Sequence, residues 1–311
     1  NNILAYMIQA FANRHLNNKE KTINSIQNIY KLDPLSDFAR FEEVVLGKTD
    51  LAAFSSKITN ELPFESYLEL AATYLQFNDI EAAISVLKEG PQHPIINLWL
   101  ANLDVNNQKE YLVKVLKASA EMVFPHRIET AEFLEAILKT NSHWKLKYYL
   151  GLIYWHKGLS EKASVLFEQC KNEPDFSAFY LTKLKLIEMT SSEEKPLLLK
   201  ALELNPDDWR TALALSNNYS TNNETSKAIA IGEKFIKLYP ENSQIGMNYA
   251  SVLLKDKQYL NALNFLEGFN ILPFEGSTEG KKIYTLVCIK LALQSYNNKN
   301  YEEVIMYAEK A

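Results

Sequence analysis

Apolar residues along this chain recur at intervals of three and four rather than two. Leu68, Leu70, Ala71, Tyr74 and Leu75 form one such run, and Ala82, Ala83, Val86 and Leu87 form the next. That spacing draws a stripe along one face of an α-helix. Short polar breaks separate the runs: Phe77-Asn78-Asp79, Lys157-Gly158-Leu159, Thr221-Asn222-Asn223 and Lys255-Asp256-Lys257. Breaks of this length suit tight links between antiparallel helices. No segment alternates cleanly between hairpin turns, so no strand is predicted.

The prolines punctuate this pattern. Eight of the ten, Pro34, Pro63, Pro94, Pro125, Pro174, Pro206, Pro240 and Pro273, stand 29, 31, 31, 49, 32, 34 and 33 residues apart. Regular punctuation marks a repeat array. Proline cannot sit comfortably inside a helix and pushes the preceding residue out of α conformation. Each one can therefore close a helical unit or open the next at its first turn. The interval of 49 reads as one unit plus an extra helix.

Within this frame, residues of fixed size return at fixed places. The unit from Trp144 carries Leu150, Gly151, Tyr154, Gly158, Ala163, Phe167 and Pro174. From Phe64 there are Leu70, Ala71, Tyr74, Ala83, Leu87 and Pro94; from Trp209, Leu215, Ser216, Tyr219, Ala228 and Pro240; from Ser243, Tyr249, Ala250, Ala262, Leu266 and Pro273. A poorer unit from Asp175 keeps Ala201 and Pro206, so that starts at 175, 209 and 243 are each 34 apart. Small residues let the two helices of a unit approach closely, and the aromatic fills the gap to the next unit. The pattern resembles the tetratricopeptide repeat, a helix–turn–helix unit of about 34 residues. That resemblance implies an all-α fold: a tetratricopeptide-like α-solenoid, a right-handed superhelix of antiparallel helix pairs, with about nine units and roughly 19 helices.

The expected organisation follows. Residues 1–63 form two degenerate helix pairs, with helices near 3–16, 20–31, 35–47 and 50–60. Residues 64–143 hold one unit and irregular helices near 95–104, 107–122 and 127–140, the last being the extra one, where a bend is expected. Four units fill 144–274, and a loop with an incomplete final unit fills 275–311. The chain opens on Asn1-Asn2 and closes within a helical pattern, as a fragment of a longer protein would.

Several strings carry a narrower resemblance: Tyr148-Tyr149-Leu150 with Trp155-His156-Lys157-Gly158, Pro174-Asp175-Phe176 with Phe179-Tyr180, Asn205-Pro206-Asp207-Asp208-Trp209-Arg210, and Leu272-Pro273-Phe274-Glu275-Gly276 with Glu279-Gly280. They are similar to the C-terminal repeat region of large bacterial proteins of unassigned function. In those proteins the repeats follow a β-sandwich half resembling sugar-mutarotase domains. The resemblance implies that a carbohydrate-related domain precedes this segment. It offers a second function, an accessory region of a carbohydrate-active enzyme.

Composition narrows the chemistry. Apolar residues make up 47% and charged residues 23% of the 311, which is globular rather than disordered. The net charge of −5 leaves no electrostatic footprint for a nucleic-acid backbone or an anionic bilayer. No apolar run is long enough to span a membrane. The chain is expected to be soluble, cytoplasmic or exported, with any signal peptide outside it. Cys170 and Cys288 form no CxxC pair, and His15, His93, His126, His143 and His156 form no HExxH. Phosphate-cradling glycine loops and nucleophile elbows are absent as well. Cys170 reads as a buried spacer. The pairs Glu42-Glu43, Glu193-Glu194 and Glu302-Glu303 read as solvated surface charge. No catalytic residue, metal ligand or cofactor is predicted.

Binding is the remaining class. In tetratricopeptide proteins the inner face is lined by first-helix places that fall here on Lys145, Tyr148, Tyr149, Trp155 and His156, then on Phe179, Tyr180 and Lys183. These aromatics and cations are read as a groove for a peptide or sugar, as packing between repeats, or as a face covered by another domain. Asn217, Asn248 and Lys290 fall where chaperone adaptors of this family grip a peptide carboxylate, although Leu213 and Leu286 stand where that clamp wants Lys. The Gly-bearing loop offers Phe274, Glu275, Gly276 and Glu279 as further candidates. The function expected is a non-catalytic interaction scaffold. Its partner is a protein, a peptide or an intramolecular N-terminal domain, with no nucleic acid and no membrane insertion.

Overall fold

A computed structural model describes residues 2–269 and 278–311. Among these residues there are nineteen α-helices and no strand, so the architecture is an all-α helical repeat. The chain forms two compact units, Asn1–Glu173 and Pro174–Ala311. The first holds α1 (Ile3–His15), α2 (Lys19–Leu32), α3 (Asp37–Val45), α4 (Leu51–Ser55), α5 (Pro63–Gln76), α6 (Ile80–Glu89), α7 (Pro94–Leu103), α8 (Gln108–Lys117), α9 (Ile128–Leu138), α10 (Trp144–His156) and α11 (Ser160–Gln169). The second holds α12 (Ser177–Leu186), α13 (Ser191–Leu204), α14 (Trp209–Thr221), α15 (Thr225–Leu238), α16 (Ser243–Lys255), α17 (Tyr259–Gly268), α18 (Glu279–Asn297) and α19 (Tyr301–Lys310).

One turn recurs at seven helix ends among the described residues. Two residues past α1, α3, α5, α10, α14, α16 and α18, the backbone enters the left-handed region at Asn17, Gly47, Asn78, Gly158, Asn223, Lys257 and Lys299, with φ between 55° and 78°. The next amide then donates to a carbonyl five positions back, as in Asp79 to Tyr74 (2.9 Å), Leu159 to Tyr154 (2.8 Å), Glu224 to Tyr219 (2.8 Å) and Gln258 to Leu253 (2.9 Å). This bond satisfies a carbonyl that the helix end would otherwise leave open, and it aims the chain back along the helix. Four of the seven turns are the polar breaks visible in the sequence. The first helices α7 and α12 end without it. A 3₁₀ turn (Val105–Asn107) follows α7, whereas α12 runs into an extended link capped by Thr190 and Glu193.

Prolines stand at helix starts, and Pro34, Pro206 and Pro240 also stand two residues past the helix before. Pro63 and Pro94 are the first residues of α5 and α7. Pro34, Pro125, Pro174, Pro206 and Pro240 each stand three residues before the helix that follows. Two helices fall short of expectation. The segment 50–60 yields only Leu51–Ser55, because β-branched Ile58-Thr59 and then Pro63 follow. The segment 107–122 stops at Lys117, because Ala118 turns extended and Met122 is left-handed. The unpaired helix expected in this region is α9.

The core follows the small-and-large pattern. Ala83, Ala163, Ala228 and Ala262 are buried on second helices, and Tyr74 and Phe167 are buried among them. Gly151 is required by close approach, since a Cβ there would lie 2.9 Å from the Phe167 ring.

One pair of carboxylates corrects the sequence reading. Glu42 is not surface charge: it is fully buried on α3. Arg14 Nε on α1 donates to Glu42 Oε2 (3.0 Å), and the Tyr74 hydroxyl on α5 donates to Oε1 (2.9 Å). Arg14 Nη2 also reaches Asp79 Oδ2 (2.8 Å), so one guanidinium bridges two carboxylates. Burial pushes the Glu42 carboxyl up, with Arg14 opposing. Burial alone would raise Asp79 too, but hydrogen bonds from Arg14 and the Ala82 amide outweigh it and hold that carboxyl below its ordinary value.

His93 adds a pH dependence. It caps α7, its Nδ1 accepting from the Ile95 amide (3.3 Å), and it stacks on Phe64 with ring centroids 3.7 Å apart. Burial lowers its pKa from 6.5 to about 4, with Glu65 opposing. A depressed imidazole stabilises the fold above pH 6.5, and that contribution is lost as pH falls from 6.5 toward 4. Urea midpoints at pH 7 and pH 4.5 should therefore drop less in His93→Asn, which can keep the cap without titrating. Equal drops in both proteins would remove the imidazole from the account.

Candidate functional site

The candidates on α10 and α12 are mostly interior. Lys145, Tyr148 and Tyr149 are buried, Trp155 is half-buried, and only His156 is exposed. Lys145 Nζ donates to the carbonyls of Leu116 (2.7 Å) and Ala118 (2.5 Å), capping the C-terminal end of α8. Tyr148 packs edge-on against Phe167. The His156 ring lies 6.1 Å from that of His126. On α12, Phe179, Tyr180 and Lys183 are buried, and the Tyr180 hydroxyl donates to the Pro174 carbonyl (2.9 Å). The groove reading of these buried residues is thereby corrected to packing.

The cause on α12 is register. The helix begins at Ser177, two residues after the start expected at 175. Counted from Ser177, the places expected on the open face fall on Leu181 and Lys185, not on Phe179 and Lys183. The spacing of 32 between Pro174 and Pro206, against 34 between Pro206 and Pro240, already contained this slip.

A groove lies in the second unit, between α12, α14 and the start of α16. The Ser177 hydroxyl donates to Asp208 Oδ2 (3.1 Å) and lies 3.2 Å from the Thr211 hydroxyl, which ties the first turns of α12 and α14 together. Beyond this tie opens a space of about 370 Å³. Its apolar lining is Leu181, Leu184, Trp209, Leu213 and Ala214, all half-buried. Lys185, Arg210, Asn217 and Gln244 complete the lining and are exposed.

Electrostatics give the groove a sign. Among the described residues, no Asp or Glu lines it. Neither Lys185 nor Arg210 forms an ion pair with any described residue. Arg210 instead lies over the Trp209 ring, its Cζ 4.4 Å from the centroid, which orients the guanidinium without neutralising it. Asn217 is also oriented. The Ser216 hydroxyl donates to Asn248 Oδ1 (2.6 Å), and Asn248 Nδ2 donates to Asn217 Oδ1 (2.6 Å). With its oxygen engaged, Asn217 keeps its amide N–H groups for a ligand.

Comparison with known proteins adds little to this geometry. No family model and no curated protein matches the chain. Solved structures do. A tetratricopeptide repeat protein from Parabacteroides merdae is 13% identical, over 78% of this chain and 90% of that one, with a TM-score of 0.36. YrrB, described as a tetratricopeptide repeat protein with an unusual peptide-binding site, is 16% identical over 68% and 96%, with a TM-score of 0.41. A thermophilic tetratricopeptide repeat protein of Thermus thermophilus is 20% identical over 61% and 98%, with a TM-score of 0.32. The repeat architecture stands on this chain's own recurring turns. The narrower resemblance to mutarotase-linked bacterial proteins is not shown.

The remaining candidates separate. Asn217 and Asn248 are brought together, as described. Lys290 is exposed on α18 and is not part of the groove lining, and Glu279 is exposed at the first position of α18. Phe274, Glu275 and Gly276 lie outside the described residues. Cys170 and Cys288 are both buried. Among the described residues no cluster of His, Cys, Asp or Glu could hold a metal ion, and no helix is long and apolar enough to cross a membrane.

Proposed function

We propose that this chain is a non-catalytic interaction scaffold that holds a peptide segment of a partner in the groove between α12, α14 and α16. One observation carries the reading: among the described residues, an apolar floor is bordered by two cations without carboxylate partners and by no acid. Such a surface rewards a ligand that brings both apolar side chains and negative charge. Preformed helices hold the floor in place, so little ordering cost falls on the protein when a ligand docks.

The test uses fluorescein-labelled decapeptides rich in Leu, Phe and Glu, read by fluorescence anisotropy. Binding should weaken as salt is added, because the rim cations are exposed to screening. Leu213→Asp and Arg210→Glu should each reduce affinity by about tenfold or more. If no peptide binds at high micromolar protein, or if neither substitution changes the affinity, the groove is not the site.

A further inference from the structure

The groove fits a segment that is at once apolar and acidic, and the chain displays one. Between α8 and α9, residues 118–127 run without regular structure. Ala120, Val123 and Pro125 are buried and anchor the segment to the first unit. Between the anchors, Met122 is 79% exposed, Phe124 is 63% exposed, and Glu121 is exposed beside them. The Glu121 carboxylate forms no ion pair with any described residue.

The backbone there is held at a cost. The Val123 amide donates to the Ala120 carbonyl (3.4 Å), closing a turn whose third residue, Met122, has φ 61°. That place in a turn favours Gly or Asn. Methionine has no short polar side chain to bond locally, so the strain is not offset there. The result is a strained tip that presents a large apolar side chain to solvent. Strain of this kind points to use in recognition.

We infer that residues 119–124 of one copy dock in the α12–α14 groove of a second copy. Met122 and Phe124 cover the floor of Leu181, Leu184 and Leu213, and Glu121 meets the Lys185 and Arg210 cations. The inference rests on the groove being a peptide site, and charge complementarity chooses the occupant. The two surfaces differ, so the contact is head-to-tail and can extend into open chains. A short segment makes each link weak, and the association depends on concentration and salt.

Sedimentation velocity of the 311-residue chain across a concentration series tests this. The expected result is reversible growth beyond the monomer that added salt suppresses. Met122→Gly removes the side chain and suits a positive φ, so it should leave the fold intact while weakening association about tenfold. Glu121→Lys and Arg210→Glu should each weaken association, and the two together should restore it. A peptide of residues 118–126 should compete with association, and its Glu121→Lys version should not. A chain that stays monomeric at millimolar concentration overturns the proposal, as does association unchanged by Met122→Gly or a double variant that fails to recover. If the labelled decapeptides bind while the chain stays monomeric, only the self-docking falls. If no decapeptide binds either, the groove reading falls with it.

Discussion

Glu42→Ala should destabilise the first unit by about 3–5 kcal/mol, because it removes the shared member of a buried charged network. Arg14 and Tyr74 converge on one carboxylate that has no access to water. After the substitution, the Tyr74 hydroxyl loses its acceptor inside the core. Arg14 keeps only Asp79, and a cavity opens beside Phe38 and Phe41, which pack on Tyr74. Glu42→Gln separates the contributions. It keeps an acceptor for Tyr74 and most of the volume but drops the charge, so a loss of about 1.5–3 kcal/mol is expected. Urea denaturation at neutral pH measures both. A change within about 0.5 kcal/mol for Glu42→Ala is what surface positions give, and it would return Glu42 to the surface.

Ala163→Trp and Ala228→Trp test the packing of the repeat itself. Both alanines are fully buried on second helices, α11 and α15. Ala228 packs with Leu215, Tyr219 and Val252, side chains of the first helices before and after it. An indole at either place must push two helices apart. Overpacking of well-filled cores costs about 1–3 kcal/mol, and a change as large as Ala to Trp should reach the top of that range or exceed it. Each variant should lower the melting temperature. Unchanged values in both would mean that the small-residue places are misassigned.

Much of the fold was legible because the repeat is written in local chemistry. A helix stripe, a turn residue that tolerates positive φ and a proline at the start of a helix are short-range signals, as at Leu75, Asn78 and Pro94. The network at Glu42 was illegible for the opposite reason. Its partners lie 28 and 32 residues away, and nothing in the pair Glu42-Glu43 says which of the two faces inward. The candidate groove was partly legible. Trp209, Arg210, Leu213 and Asn217 stand on a helix whose start the pattern placed correctly. Leu181 and Lys185 were missed because α12 starts two residues late, and a shift of two on a helix turns the chosen face by roughly 200°. Lys145, read as an open-face candidate, is buried for another reason. Its register was right, but the C-terminal carbonyls of α8 claim its ammonium group.

The left-handed turns have a genetic consequence. Asn223 and Lys257 lie 34 positions apart and end α14 and α16 in the same way. A tandem duplication of residues 224–257 would join a complete turn to a complete turn and add one helix pair, with every cap intact. Deleting the same stretch would remove one pair as cleanly. Chain length in this part of the molecule can therefore change in whole modules, one helix pair for each copy of the stretch.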